Sequence, residues 1–334
     1  MRAAAQGARG FGWGDLAALV VSGVAAAVAP LQVFLLAYVL LGPFHYLTEI
    51  AWLKKKKFYF GDGLVSPRMY AWLAGGLAVV GAADFVVRHG LSFWVIGALL
   101  LLSFSVWVRN LYVLATIAVA GVVAKELSPA VVVLVAVIVP TVVHVFFFTW
   151  IFTVSGALRS KGLGWARWVN PVLTLAIPVG LVLATVHYRA PGALWVRGEA
   201  ASFEPFHQYL AGLWHHTLRM DGGLLADPVV AALLRLSAFA YLFHYLNWFA
   251  KVDLLEWHKL PLRSWVVLLT LYAASLGVYG FGFATGILVA NFLSLLHVLL
   301  EFPLDWRTLR FVAWGWRGAG APKAVVVVVA ETVA

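Results

Sequence analysis

Apolar stretches of roughly 20 residues recur along the whole of this 334-residue chain. About 20 helical residues cross the hydrocarbon core of a bilayer, so stretches of this length are typical of transmembrane helices. Charged residues make up 11% of the chain, against about 25% in a soluble domain. The sequence therefore predicts an all-α fold, a polytopic integral membrane helix bundle that forms a single membrane domain over residues 1–334.

The apolar stretches predict about ten transmembrane helices. The predicted spans lie near residues 12–29, 31–53, 68–88, 91–108, 110–125, 129–157, 169–188, 229–252, 263–279 and 281–304. Pro30 separates the first two, because proline disfavours the continuation of one helix. The long segment 189–228 is predicted to be an outer loop that lies along the membrane interface.

Lysine and arginine are distributed unevenly between the two predicted sides of the membrane. The side that holds both termini carries 18 of these cations, and the opposite side carries five. Cytoplasmic loops are enriched in Lys and Arg, so both termini are predicted to be cytoplasmic, in the inner (plasma) membrane of a bacterium. Basic loops that contact anionic membrane lipids account for the net charge of +10, and no nucleic-acid partner is expected.

Three related motifs place a histidine inside a strongly apolar run. They read FHYLTEIAW from Phe44 to Trp52, FHYLNWFAK from Phe243 to Lys251, and LLHVLLEF from Leu295 to Phe302. In the first and third motifs a glutamate follows the histidine by four residues. Ionisable side chains are costly inside a membrane, so these positions are candidates for function.

The predicted topology brings four histidines to similar depth. The predicted metal ligands are His45, His144, His244 and His297, and the predicted catalytic carboxylates are Glu49 and Glu301. A histidine and a glutamate four residues apart share one helix face, so each pair can point at one centre. Such nitrogen and oxygen donors suit iron, manganese or zinc, and the absence of cysteine disfavours softer ions. We expect one or two ions, with Tyr46, Asn247, Asn291 and Asp305 available to orient the ligands.

Other interpretations of these residues stay open at this stage. A histidine inside the membrane can simply form an interhelical hydrogen bond, and Glu49 can form a salt bridge with Lys54 at the interface. Glu301 lies similarly close in sequence to Arg307. Arg235, early in the eighth span, is expected to extend outward to the membrane surface.

The order of these motifs resembles that of the bacterial Brp/Blh membrane family, which cleaves β-carotene to retinal with a histidine-bound iron. The matching positions are His45 with Glu49, His244, and His297 with Glu301. The family's proline–histidine–glycine signature is missing here, and Trp248 stands where the family has a second histidine. The resemblance therefore implies a metal in a membrane bundle and an apolar substrate, more than it implies carotene cleavage.

Four functions are compatible with these observations. The first is an intramembrane metal-dependent oxidoreductase, of oxygenase or desaturase type, that acts on a lipid or isoprenoid. The second is a proton-coupled transporter that uses the same side chains as a proton relay. The third is a haem-binding electron carrier with paired histidine ligands. The fourth is a non-catalytic subunit whose aromatic faces bind a membrane-protein partner.

Overall fold

A computed structural model describes residues 13–56, 64–88, 93–106, 108–127, 143–185, 228–251 and 255–316. Within these ranges the regular secondary structure is entirely helical, and no strand is present. This confirms the predicted all-α fold for the described part of the chain. Most of the predicted outer loop 189–228 and the first part of the sixth predicted span lie outside the described residues.

Eleven α-helices are described within these ranges. In chain order they are α1 (Trp13–Val28), α2 (Pro30–Leu36), α3 (Gly42–Lys56), α4 (Pro67–Arg88), α5 (Phe93–Ser105), α6 (Leu111–Leu127), α7 (Thr149–Arg159), α8 (Val169–Thr185), α9 (Pro228–Ala250), α10 (Leu262–Gly277) and α11 (Phe283–Trp316). A π-helical turn, Ala37–Leu41, joins α2 to α3. Short 3₁₀ turns lie at Lys161–Trp168, Trp257–Lys259 and Val278–Phe281.

Among the described residues, five helical segments are long and apolar enough to cross a membrane. They are Pro30–Lys56, Leu163–Thr185, Pro228–Ala250, Leu262–Phe281 and Thr285–Gly315. A described helix also lies in each of the other predicted intervals, and three of these are shorter apolar helices. The five long segments indicate a membrane protein.

The described residues divide into two compact units. The first is drawn from Met1–Leu41, Thr141–Glu256 and Arg307–Ala334, and the second from Gly42–Pro140 and Trp257–Trp306.

In the first unit, α9 packs against α1, α2 and α8. Leu19 of α1 and Leu234 and Ala238 of α9 are fully buried in this packing. The contact between α1 and α8 is close, since a Cβ added at Gly23 would lie 3.0 Å from the Ile177 side chain. Small residues at such contacts let membrane helices approach and gain van der Waals packing.

The side chain of Arg235 in α9 is buried in the first unit, with 1% of its surface exposed. Its guanidinium donates a hydrogen bond of 2.7 Å to the Thr185 hydroxyl, which in turn donates to the Leu181 carbonyl at 2.8 Å. The prediction that Arg235 extends outward to the membrane surface is therefore wrong. A buried guanidinium needs hydrogen-bond acceptors, and Thr185 supplies one of them.

In the second unit, α3 packs against α10 and against the 3₁₀ turn Trp257–Lys259. The Phe44 ring makes edge contacts with Trp257 and Tyr272, at centroid distances of 6.2 and 5.4 Å. The helices α4, α5 and α6 pack in sequence order. This unit supplies the helix α3 and most of α11, on which the candidate site is built.

Candidate metal centre

The helix α3 carries His45 and Glu49 on one face, as their spacing predicts. The His45 Nε2 atom lies 3.1 Å from a Glu49 carboxylate oxygen, and both side chains are buried. Glu49 therefore pairs with His45 inside the unit, whereas the Lys54 side chain is exposed. A carboxylate close to one ring nitrogen is common around metal-bound histidines, whose other ring nitrogen binds the ion.

The helix α11 carries three further polar side chains at successive four-residue intervals. His297, Glu301 and Asp305 are all buried, with at most 3% of each exposed. The Glu301 carboxyl is hydrogen-bonded to that of Glu49 and lies close enough to Asp305 to interact electrostatically. Asp305, expected only as an orienting residue, is therefore a third carboxyl group of the cluster.

Aromatic contacts also join the two helices at this point. The rings of His45 and His297 are 5.4 Å apart with their planes at 80°. The Tyr46 ring stacks on His297 at 4.2 Å with its plane at 20°. Because Tyr46 is fully buried, the stacked ring fixes the orientation of the His297 imidazole.

Two imidazoles and three carboxyl groups thus meet in the interior of the second unit. Buried carboxylates this close repel one another unless a proton or a cation lies between them. The ligand atoms of His45 and His297 lie within 4.8 Å of one another, and so do those of His297 and Glu301. These buried histidine and glutamate side chains could hold a metal ion, and their nitrogen and oxygen donors fit a first-row transition metal.

The first unit contains the other two predicted ligands. His144 and His244 are buried, and their rings are 5.2 Å apart with the planes at 73°. The Thr149 hydroxyl forms a 2.6 Å hydrogen bond with Nδ1 of His244. Thr149 fixes the ring of His244, and the sequence gives no sign of this because threonine is common in apolar helices.

Two of the histidines lie beside local departures from α-helical geometry. The π-helical turn Ala37–Leu41 ends four residues before His45, and residues 143–148, which include His144, form a second π-helical turn. Such turns re-aim the side chains that follow them and are frequent at functional sites. Neither turn itself contains a proline or a glycine that would mark it in the sequence.

Three of the four expected orienting residues, Tyr46, Asp305 and Asn247, fall into two groups, and the fourth, Asn291, lies in α11. Tyr46 contacts His297 directly and Asp305 belongs to the carboxyl cluster, as described above. Asn247 instead accepts a 2.8 Å hydrogen bond from Lys251, one helical turn later. Its amide oxygen is therefore engaged at the end of α9.

The chemistry of the site follows from its donors and their burial. It combines imidazole nitrogens, carboxyl oxygens that can hold a proton, and an apolar surrounding that excludes water. Comparisons of the chain with protein-family models, with curated proteins and with solved structures give no match.

Proposed function

We propose that this protein is an intramembrane metal-dependent oxidoreductase, of oxygenase or desaturase type, that acts on a lipid or isoprenoid. The observation that carries the proposal is the buried cluster of His45, Glu49, His297, Glu301 and Asp305. Burial of so many ionisable groups has a high electrostatic cost, which a bound cation would offset.

The metal that suits the proposal best is iron, as one or two ions. His45 and His297 would bind it through ring nitrogens, and Glu301 through a carboxylate oxygen. Bound iron would supply the redox chemistry needed to activate dioxygen. Around it, Glu49 orients the His45 ring, Tyr46 orients the His297 ring, and the Glu49–Glu301 pair can hold a proton. His144 and His244 remain predicted as further ligands.

The proposed setting is the inner membrane of a bacterium, with ten spans and both termini in the cytoplasm. The 18-to-five bias of Lys and Arg supports this topology, as do the helices that lie in the predicted intervals. An apolar substrate would reach the site from the bilayer, where such molecules dissolve. No nucleic-acid partner is proposed.

Elemental mass spectrometry of the protein purified in mild detergent tests the proposal directly. We expect iron at one or two ions per chain in the parent protein and a loss of most of it in His297→Ala. His258→Ala is the matched control, because His258 lies in the same unit but its side chain is exposed. Iron retained by the control and lost from the His297 variant would support the site. Oxygen consumption with candidate lipids would then be measured.

A specific observation favours the proton-coupled transporter as the second candidate. The Glu49–Glu301 hydrogen bond and the adjacent His45 form a short chain of groups that can carry protons. A folded parent protein without bound metal would favour this function over the oxidoreductase. A Soret absorption band would instead indicate a haem-binding electron carrier. Tight co-purification of a membrane-protein partner, without metal or haem, would favour a non-catalytic subunit.

A further inference from the structure

Two basic segments that are about 200 residues apart in sequence meet in the second unit. One is Lys54–Lys56 at the end of α3, and the other contains Lys259 and Arg263. The Lys55 ammonium group donates a hydrogen bond of 3.3 Å to the Lys259 carbonyl, which joins the two segments. We call these five cationic residues the basic surface.

The basic surface is exposed and carries charge of one sign. Four of its five side chains are exposed, and Lys56 is half-buried. The stretches 54–56 and 257–263 contain no acidic residue, and Glu256 directly precedes the second of them.

Tryptophan side chains lie directly beside the basic surface. The rings of Trp257 and Trp265 are 6.0 Å apart, and the Trp265 indole donates a 3.3 Å hydrogen bond to the His258 carbonyl. Tryptophan is enriched at the level of lipid headgroups, where its ring meets both apolar and polar surroundings. The basic surface also lies at one end of two helices, α3 and α10, that belong to candidate membrane spans. This arrangement is the one expected for cations at the depth of the lipid headgroups.

We propose that the basic surface binds the phosphate headgroup of an anionic membrane lipid. Clusters of cations next to a membrane span attract anionic lipids, each Lys or Arg adding to the affinity. The lipid's apolar chain would extend along the unit toward the membrane interior.

The position of the basic surface also suggests a substrate class, and this step rests on the proposed function. Lys55 is ten residues beyond His45 in the same helix, or about 15 Å at roughly 1.5 Å per residue. A lipid held by its headgroup at Lys55 would present its chain, rather than its headgroup, near His45. The substrate would then be an anionic lipid that is modified within its apolar chain.

Native mass spectrometry of the detergent-solubilised protein with added phosphatidylglycerol or phosphatidylcholine tests the binding. We expect preferential retention of phosphatidylglycerol, weakened about 10- to 30-fold in the double variant Lys55→Gln, Lys259→Gln. The variant Lys55→Arg, Lys259→Arg should keep the preference. The matched control is Arg68→Gln, Arg109→Gln, which removes two exposed cations elsewhere in the same unit and should bind like the parent.

Equal retention of the two lipids by the parent, or an equal loss in the Arg68/Arg109 control, would overturn the proposal. So would full displacement of phosphatidylglycerol by a similar concentration of inorganic phosphate, because the surface would then bind free anions. Metal content is measured on the same samples. A lipid preference without bound metal would contradict the proposed function but support lipid binding by the basic surface. Bound metal without a lipid preference would support the proposed function but contradict lipid binding.

Discussion

Replacing Glu301 by glutamine should change the stability of the protein in opposite directions with and without metal. Glu301 is hydrogen-bonded to Glu49 and close to Asp305. Two unit negative charges about 4 Å apart repel by about 4 kcal/mol at an effective dielectric constant of about 20. A proton shared by the two glutamates removes much of this repulsion, and a glutamine amide would donate the same hydrogen bond without needing that proton.

We therefore expect Glu301→Gln to stabilise the chelator-treated protein by about 1–2 kcal/mol, or about 1–3 °C in apparent Tm. The same substitution should lower iron affinity at least about tenfold, because an amide oxygen is a weaker ligand than a carboxylate. Thermal melts in detergent, with and without iron, measure both effects. Glu126→Gln is the control, since it makes the same chemical change at an exposed helical position of the same unit.

The opposite pattern would refute this reasoning. If Glu301→Gln destabilised the chelator-treated protein and left its iron content unchanged, the Glu301 carboxylate would be a structural hydrogen-bonding group. Glu301 would then not be a ligand of the bound iron.

The remaining predictions concern single contacts. Thr149→Val should lower the free energy of unfolding by about 1–3 kcal/mol, because it removes the hydroxyl that is hydrogen-bonded to the buried His244. Thr149→Ser, which keeps a hydroxyl, should lower it less. Thermal melts of both variants, with ¹⁵N NMR of the His244 ring tautomer, check this prediction. Tyr46→Phe should keep the stacked ring and the metal content of the parent, whereas Tyr46→Leu should lower iron affinity about tenfold or more, as measured by competition with a chelator. Gly286→Ala should lower the free energy of unfolding by about 1–3 kcal/mol, since the added methyl group would collide with the Tyr279 ring. In a thermal melt, the double variant Gly286→Ala, Tyr279→Ala should regain part of this lost stability.

The helices were predictable because each long apolar run in the sequence extends over many residues. A run of about 20 apolar residues leaves few alternatives to a helix, since backbone polar groups must be satisfied internally in lipid. The pairing of His45 with Glu49 was predictable for a related reason, as it depends only on the rise and turn of one helix. His297, Glu301 and Asp305 follow one another at the same four-residue spacing. This spacing predicts that Asp305 lies on the same helix face and belongs to the cluster.

Contacts that depend on a second element were not predictable from spacing. The hydrogen bond between Thr149 and His244 joins residues 95 positions apart, and nothing local in the sequence marks it. The burial of Arg235 likewise depends on Thr185 in another helix. Amphipathic periodicity gives the face of a helix but not its neighbour, so such partners emerge only from the packed structure.

The exposure of α10 has a consequence for how activity would be measured. This helix packs against α3, yet its aliphatic side chains are largely exposed, with Val266 and Val267 each at 57%. In a membrane such a surface contacts acyl chains, so an apolar substrate would approach it by lateral diffusion in two dimensions. The concentration that governs the rate would then be the mole fraction of substrate in the bilayer or micelle. An apparent KM expressed per litre of buffer would change with the amount of detergent, whereas one expressed as a surface fraction would stay constant.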